Sequence, residues 1–245
     1  MNDTITPIGK DQTFCFACSP EVPCFNACCR DLNQALTPYD ILCLRQFLEM
    51  PSADFLTRYT ETGTGPRSGL PVVCLRFDDD AERACPFVTA AGCSVYPARP
   101  ASCRTYPLAR GLARDRQTGR LTEHWALIRE PHCRGFAGGK TQCVDQWIAD
   151  QQLDRHNRMN DGMLELISLK NRHRPGPLPP TESQRIYTAL YDLDAFRSRW
   201  LANAGVLKNV NARTREQARS DDTALLQVAM AWVKATILIP CRKDD

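Results

Sequence analysis

The sequence predicts an α+β fold: an irregular cysteine-rich core with a small β-sheet, followed by a helical C-terminal half. Three observations lead there. Eight of the thirteen cysteines sit in three groups across residues 18 to 133, in stretches dense in Pro, Gly and aromatics that keep neither a helical nor a strand period. A β-branched run, Leu70–Phe77, lies between turn residues and reads as a strand. From Val144 onward the apolar residues recur at helical spacing. The expected division is residues 14–150 as the cysteine-cluster domain and 151–245 as a helical region packed on it, or the two as one domain.

Taken in order, residues 1–13 are polar and expected to be loose, and Cys15–Cys29 reads as a loop wrapped around something. Thr37-Pro38 supplies an N-cap and a first helical position, opening a helix through about Met50. Ser52 is expected to cap a second short helix through Tyr59. Gly63, Gly65, Pro66 and Gly69 break the chain before the 70–77 strand, and Asp78–Asp80 form its turn. Cys85–Tyr106 is expected to carry short strands at best, and Leu121–Arg129 one more strand. Helices are expected over 144–170, 183–203 and 214–238, with Arg174–Pro180 a stiff linker between two of them.

Composition narrows the function. With 31 Lys and Arg against 28 Asp and Glu, the net charge of +3 is too small to argue for nucleic acid or an anionic membrane. The most apolar window, Ala224–Ile239, contains Gln227 and Lys234 and reads as an amphipathic helix, so no membrane span is expected. MNDTITPIGKDQTF lacks a basic stretch followed by an apolar one, so no signal peptide and a cytoplasmic setting are expected. Thiols stay reduced there, and concentrated cysteine then points to metal or redox chemistry rather than to disulfides.

The spacing is Cys18-x5-Cys24-x3-Cys28-Cys29, then Cys85-x7-Cys93-x9-Cys103, then Cys133. Eight thiolates suit two four-coordinate centres. Adjacent side chains on an extended chain point to opposite sides, so Cys28 and Cys29 are expected to serve different metal ions or different irons of one centre. Arginine follows Cys29, Cys103 and Cys133 directly, and a fixed cation favours the thiolate, the form that binds metal. Structural zinc sites usually pair close ligands. Here the only Cys-x2-Cys is Cys15/Cys18, and Cys85-Pro86 has the Cys-Pro end of a ferredoxin motif. Irregular all-thiolate ligation and the neighbouring aromatics lean toward iron–sulfur, with zinc the alternative. Eight ligands fit two cubanes, two zincs or one larger cluster. Cys43, Cys74, Cys143 and Cys241 read as bystanders, and Cys15 is left open.

These motifs resemble the YkgJ-type cysteine-cluster proteins, bacterial proteins described as zinc- or iron-chelating. The resemblance rests on Phe16-x-Cys18-x-Pro20-x-Val22-Pro23-Cys24-Phe25-x-x-Cys28-Cys29-Arg30-Asp31-Leu32 and on Leu36–Leu42. It continues through Cys85–Val88, Gly92–Tyr96, Arg99–Pro107, His132–Phe136 and Trp147, covering most of residues 15–160. It implies metal binding by the eight cysteines Cys18, Cys24, Cys28, Cys29, Cys85, Cys93, Cys103 and Cys133. A branch with a similar cysteine pattern is the flagellin lysine N-methylases, which use S-adenosylmethionine. The chain departs from an ordinary methyltransferase in lacking a Gly-rich strand–turn–helix; Gly138-Gly139-Lys140 is a lone Gly pair. Ser19 stands where some relatives have histidine.

Arg99 and Arg104 flank Cys103 and are the candidates for holding an anionic substrate or a cofactor carboxylate, against a plainer role in charge balance. His132 reads as solvated, and Tyr96 and Tyr106 as packing over the site. Expected partners are metal ions and a protein or redox partner. Three function classes follow: a polynuclear metal protein in redox, metal-handling or catalytic work; an S-adenosylmethionine-dependent lysine methylase; and a zinc-stabilised interaction module.

Overall fold

A computed structural model describes residues 4–77, 83–114, 117–118, 120–201 and 210–239. The expected Asp78–Asp80 turn, Cys241, residues 1–3 and the last two residues of the 183–203 helix lie outside these. In chain order the strands are β1 (Ile5–Ile8), β2 (Thr13–Phe16), β3 (Ala35–Leu36), β4 (Thr60–Thr64), β5 (Pro71–Leu75), β6 (Val88–Thr89), β7 (Gly92–Cys93), β8 (Leu108–Arg114), β9 (Leu121–Ile128) and β10 (Lys140–Cys143). The α-helices are α1 (Pro38–Phe47), α2 (Ser52–Tyr59), α3 (Ala101–Thr105), α4 (Val144–Asp150), α5 (Leu153–His173), α6 (Pro180–Leu190), α7 (Leu193–Phe196), α8 (Ala212–Gln217) and α9 (Asp222–Val233). Small antiparallel sheets followed by a helical C-terminal half make this an α+β protein. Among the described residues no helix is long and apolar enough to cross a membrane.

The chain divides into two compact units, one of Met1–Leu32 with Phe77–Asn157 and one of Asn33–Arg76 with Arg158–Asp245. In the first, β1, β9 and β8 form a three-stranded antiparallel sheet, β2 pairs with β10, and β6 with β7. The N-terminal residues expected to be loose therefore hold a strand: Ile5 faces Ile128, and Ile8 faces Trp125. Only two apolar residues mark that strand in sequence, too few for a period; its partner supplies the rest. Alternation in β2 buries Phe14 and Phe16 and turns Thr13 and Cys15 outward, where a wrapped loop was expected. Phe14, Phe16, Leu108, Trp125, Leu127, Trp147 and Leu153 form the core of this unit.

One helix was expected over 144–170, and two are found. Gln151 ends α4 and Gln152 takes a left-handed φ of 55° before α5 begins. No Gly or Pro marks the break. It is fixed instead by Arg104, whose Nη1 donates to the Gln151 carbonyl at 3.0 Å, and by Arg99, whose Nη2 donates to the Gln151 Oε1.

In the second unit, β3, β5 and β4 make an antiparallel sheet. Thr37 caps α1 as expected. Its hydroxyl accepts from the Asp40 amide at 3.2 Å, and Asp40 Oδ2 accepts from the Thr37 amide at 2.9 Å. Ser52 is the first residue of α2 rather than its cap; its amide and hydroxyl donate to Asp194 Oδ2 at 2.8 and 3.0 Å. Phe55, Ile186, Leu190, Phe196, Leu225 and Trp232 are buried in this unit's core. Arg45 bridges Asp194 and Asp222, which also pairs with Arg197. The expected 183–203 helix is divided at Tyr191–Asp192, and the 214–238 helix before the Asp221 cap of α9.

Candidate metal centre

All eight clustered cysteines lie in the first unit, and every cysteine among the described residues is a free thiol. Cys18 follows β2, where the Ala17 amide donates to the Gly135 carbonyl at 3.0 Å. The chain then winds through tight turns: Phe25 amide to Val22 carbonyl, Ala27 to Cys24, Cys29 to Asn26. Asn26, at φ 65°, permits the last of these, and its side chain donates to the Thr89 carbonyl at 3.0 Å. The segment then runs antiparallel to residues 83–85: Asp31 amide to Arg83 carbonyl at 3.0 Å, Cys85 amide to Cys29 carbonyl at 2.9 Å. That exchange sets Cys85 beside Cys29.

Cys93 sits opposite Val88 in the β6–β7 hairpin. Cys103 lies on α3, which is too short to hold itself. Arg104 anchors it by donating to the carbonyls of Arg99, Pro97 and Gln151. The Trp147 indole N–H donates at 3.2 Å to the carbonyls of Arg104 and Thr105. Cys133 closes a turn on the Glu130 carbonyl, and the next amide, of Arg134, donates to Cys24 Sγ at 3.0 Å.

Electrostatic contacts sort the eight thiols into two sets. Burial, then Cys28, Cys24 and Cys133, push Cys18 up to about 11. Cys29 is pushed far up by its hydrogen bond to Cys28, by burial, and by Cys28, Cys85 and Cys103. Burial raises Cys85 against bonds from the Phe87 and Val88 backbone, with Cys93 adding to the rise. Burial also raises Cys93, opposed by the Val95 backbone and by Arg99. Grouped by these contacts alone, Cys18, Cys24, Cys28 and Cys133 are a first quartet of neighbouring thiols, and Cys29, Cys85, Cys93 and Cys103 a second. The bridge is the adjacent pair, where the Cys29 thiol donates to Cys28 and brings it down to about 7.

Among the described residues no three His, Cys, Asp or Glu side chains form a group able to hold a metal ion as they stand. The fit to a metal is in donor type and number. Four soft sulfurs per quartet suit zinc or iron, and backbone N–H groups aimed at Cys24, Cys85 and Cys93 stabilise thiolate.

A pocket of about 280 Å³, its open mouth included, is lined by Phe16, Cys18, Cys24, Cys28, Tyr106 and Cys133, with Ala17, His132 and Gly135 completing the wall. Phe16 meets Phe136, Tyr106 and Trp147 edge-on, with centroids at 5.1, 5.7 and 5.8 Å. Gly135 is required here, since a Cβ would stand 2.5 Å from the Phe16 ring and 2.6 Å from the Ala17 carbonyl oxygen. The Tyr106 hydroxyl is buried without a well-formed hydrogen bond, and burial, then Cys133 and Glu130, hold its ionisation far above the usual tyrosine range.

Arg99 and Arg104 are buried beside the second quartet. Arg99 donates to the Tyr96 carbonyl at 2.7 Å and stacks on the Tyr96 ring, its Cζ 3.8 Å from the centroid. His132 is half exposed, 3.6 Å from Glu130. Cys15 faces outward from β2 and bonds Thr141 Oγ1 at 3.2 Å; Cys143 caps α4. Cys43 and Cys74 belong to the other unit. Sequence reasoning passed over Glu130, whose only signal was nearness to Cys133, and placed Gly135 within the His132–Phe136 stretch without giving it a role.

A family model matches residues 17–143; its description is CxxCxxCC, "putative zinc- or iron-chelating domain". No curated protein and no solved structure matches the chain.

Proposed function

The chain belongs to the zinc- or iron-chelating CxxCxxCC family, and from that premise we propose that it holds two thiolate-ligated metal centres of iron–sulfur type in a reducing, cytoplasmic setting. One centre uses Cys18, Cys24, Cys28 and Cys133; the other uses Cys29, Cys85, Cys93 and Cys103. The observation that supports this most is the single pocket that Cys18, Cys24, Cys28 and Cys133 line together, with Cys85 bonded through its amide to Cys29 on the other side of the adjacent pair. Iron–sulfur chemistry is supported by ligation through sulfur alone, by the aromatic wall around the first quartet, and by backbone N–H donors directed at sulfur. The same donors support zinc as the second reading. Arg99 and Arg104 fit charge balance best, because several of their donors go to loop carbonyls. A methylase binding S-adenosylmethionine through them has no observation in its favour.

Two centres a few bonds apart suit electron transfer or metal handling. The test is metal and acid-labile sulfide analysis, with a visible absorption spectrum, on protein purified without oxygen. Iron and sulfide in comparable amounts with a brown colour are expected. Two zincs per chain and no sulfide would replace iron–sulfur with zinc and leave the quartets in place.

A further inference from the structure

We propose that the two quartets are unequal, with Cys18, Cys24, Cys28 and Cys133 forming an exchangeable site that a thiophilic metal enters and leaves through the pocket, and Cys29, Cys85, Cys93 and Cys103 a retained one. This rests on the two-centre reading above. All four cysteines of the first quartet line the pocket, and none of the second does. Residue exposure alone would not separate them, for Cys18 and Cys103 are both exposed.

Charge points the same way. The Glu130 carboxylate acts on Cys28 and on Tyr106 beside Cys133, and it adds negative charge to a quartet that already has an excess. Four thiolates around a divalent ion leave a net charge of −2, so a nearby carboxylate weakens the filled site. The second quartet has a buried cation as its neighbour, whereas the arginines near the first, Arg129 and Arg134, are exposed. Arg99, 8 % exposed, acts on Cys93 and Cys103, and a buried guanidinium offsets the same excess.

The backbone differs as well. The second quartet is tied together by the Cys29–Cys85 amide bond, the β6–β7 hairpin and the Arg104 anchor under α3. In the first, Cys18, Cys24 and Cys133 lie outside any helix or strand, whereas in the second only Cys85 does. Metal loss requires ligands to swing away one at a time, and the looser quartet does so more readily.

The experiment loads the whole chain with zinc(II) as probe metal, without oxygen, then adds excess EDTA and iodoacetamide. Released zinc is followed with a colour indicator, and alkylated cysteines are mapped by peptide mass spectrometry. One equivalent is expected to leave about tenfold faster than the other, with alkylation of Cys18, Cys24, Cys28 and Cys133 accompanying it. Glu130→Gln is expected to slow that phase about threefold and leave the slow phase unchanged. Both equivalents leaving together, or alkylation starting at the second quartet, would overturn the inference while the quartets stand. Loaded protein that protects a different set of cysteines, or retains no metal, would remove the quartets and the inference with them.

Discussion

Replacing either member of the Cys28–Cys29 pair tests the division into quartets most directly. Each substitution to Ser removes one of four sulfurs from one quartet and none from the other. Apparent zinc affinities of four-ligand sites amount to about 10–16 kcal/mol, so one thiolate of four accounts for roughly 3–4 kcal/mol, or about 10²–10³-fold. Cys28→Ser should therefore weaken one zinc equivalent by that factor and leave the second untouched; Cys29→Ser should do the converse. The two differ in a further respect. Cys28→Ser also removes the charged partner that holds the Cys29 proton, so the surviving equivalent should bind no worse than in the wild type. Competition against chelators of graded affinity, with bound metal counted by plasma mass spectrometry, reads both numbers. Pairing Cys28→Ser with Cys18→Ser should cost no second equivalent, whereas pairing it with Cys93→Ser should. Loss of both equivalents from either single variant would refute the division.

Two further outcomes concern the scaffold. Phe16→Ala removes a ring that is 5 % exposed and touches three other aromatics, and it should lower stability by about 3–5 kcal/mol in chemical denaturation; a loss under about 1 kcal/mol would mean that the pocket wall is not packed as described. Glu123, despite the upward push of burial, is held at about 2 by bonds from Lys10 and Arg110, both at 2.6 Å. Its folded value lies below the unfolded 4.5, so its stabilisation is complete above pH 4.5 and lost as pH falls toward 2. After solvent screening this amounts to about 1 kcal/mol. The stability gap between wild type and Glu123→Gln should be flat near neutrality and close in that window; a gap that persists at pH 2 would contradict it.

The α+β class was legible because its signals are local. Thr37-Pro38 announces α1 by cap chemistry within one turn, and the β-branched run announces β5. What depended on distant partners was not legible. β1 is a strand because Trp125 and Ile128 lie across from it, and β2 because β10 does, more than a hundred residues later. The break between α4 and α5 follows from Arg104 and Arg99 reaching Gln151, a relation no window around residue 151 contains. The site divides in the same manner. The eight cysteines stand out by spacing, but the expectation that Cys28 and Cys29 point apart on an extended chain fails, because both lie in the Ala27–Cys29 3-10 turn and their thiols bond each other. Which thiols keep company depends on the Cys29–Cys85 backbone exchange and on the turn that brings Arg134 to Cys24. The charged neighbours, Glu130 at one quartet and Arg99 at the other, become readable only once those turns are in place.

The interleaving of the first unit also has a consequence for the order of events on the ribosome. Its N-terminal piece, through Leu32, emerges with four of the eight thiols but is parted from the rest by residues 33–76. On the assignment above, the quartet of Cys29 is complete when Cys103 has been made, and that of Cys18 only with Cys133, thirty residues later. At about 5–20 residues per second that interval is roughly 2–6 s. The nascent chain thus completes one set of sulfurs before the other, which lacks Cys133 alone until that interval has passed.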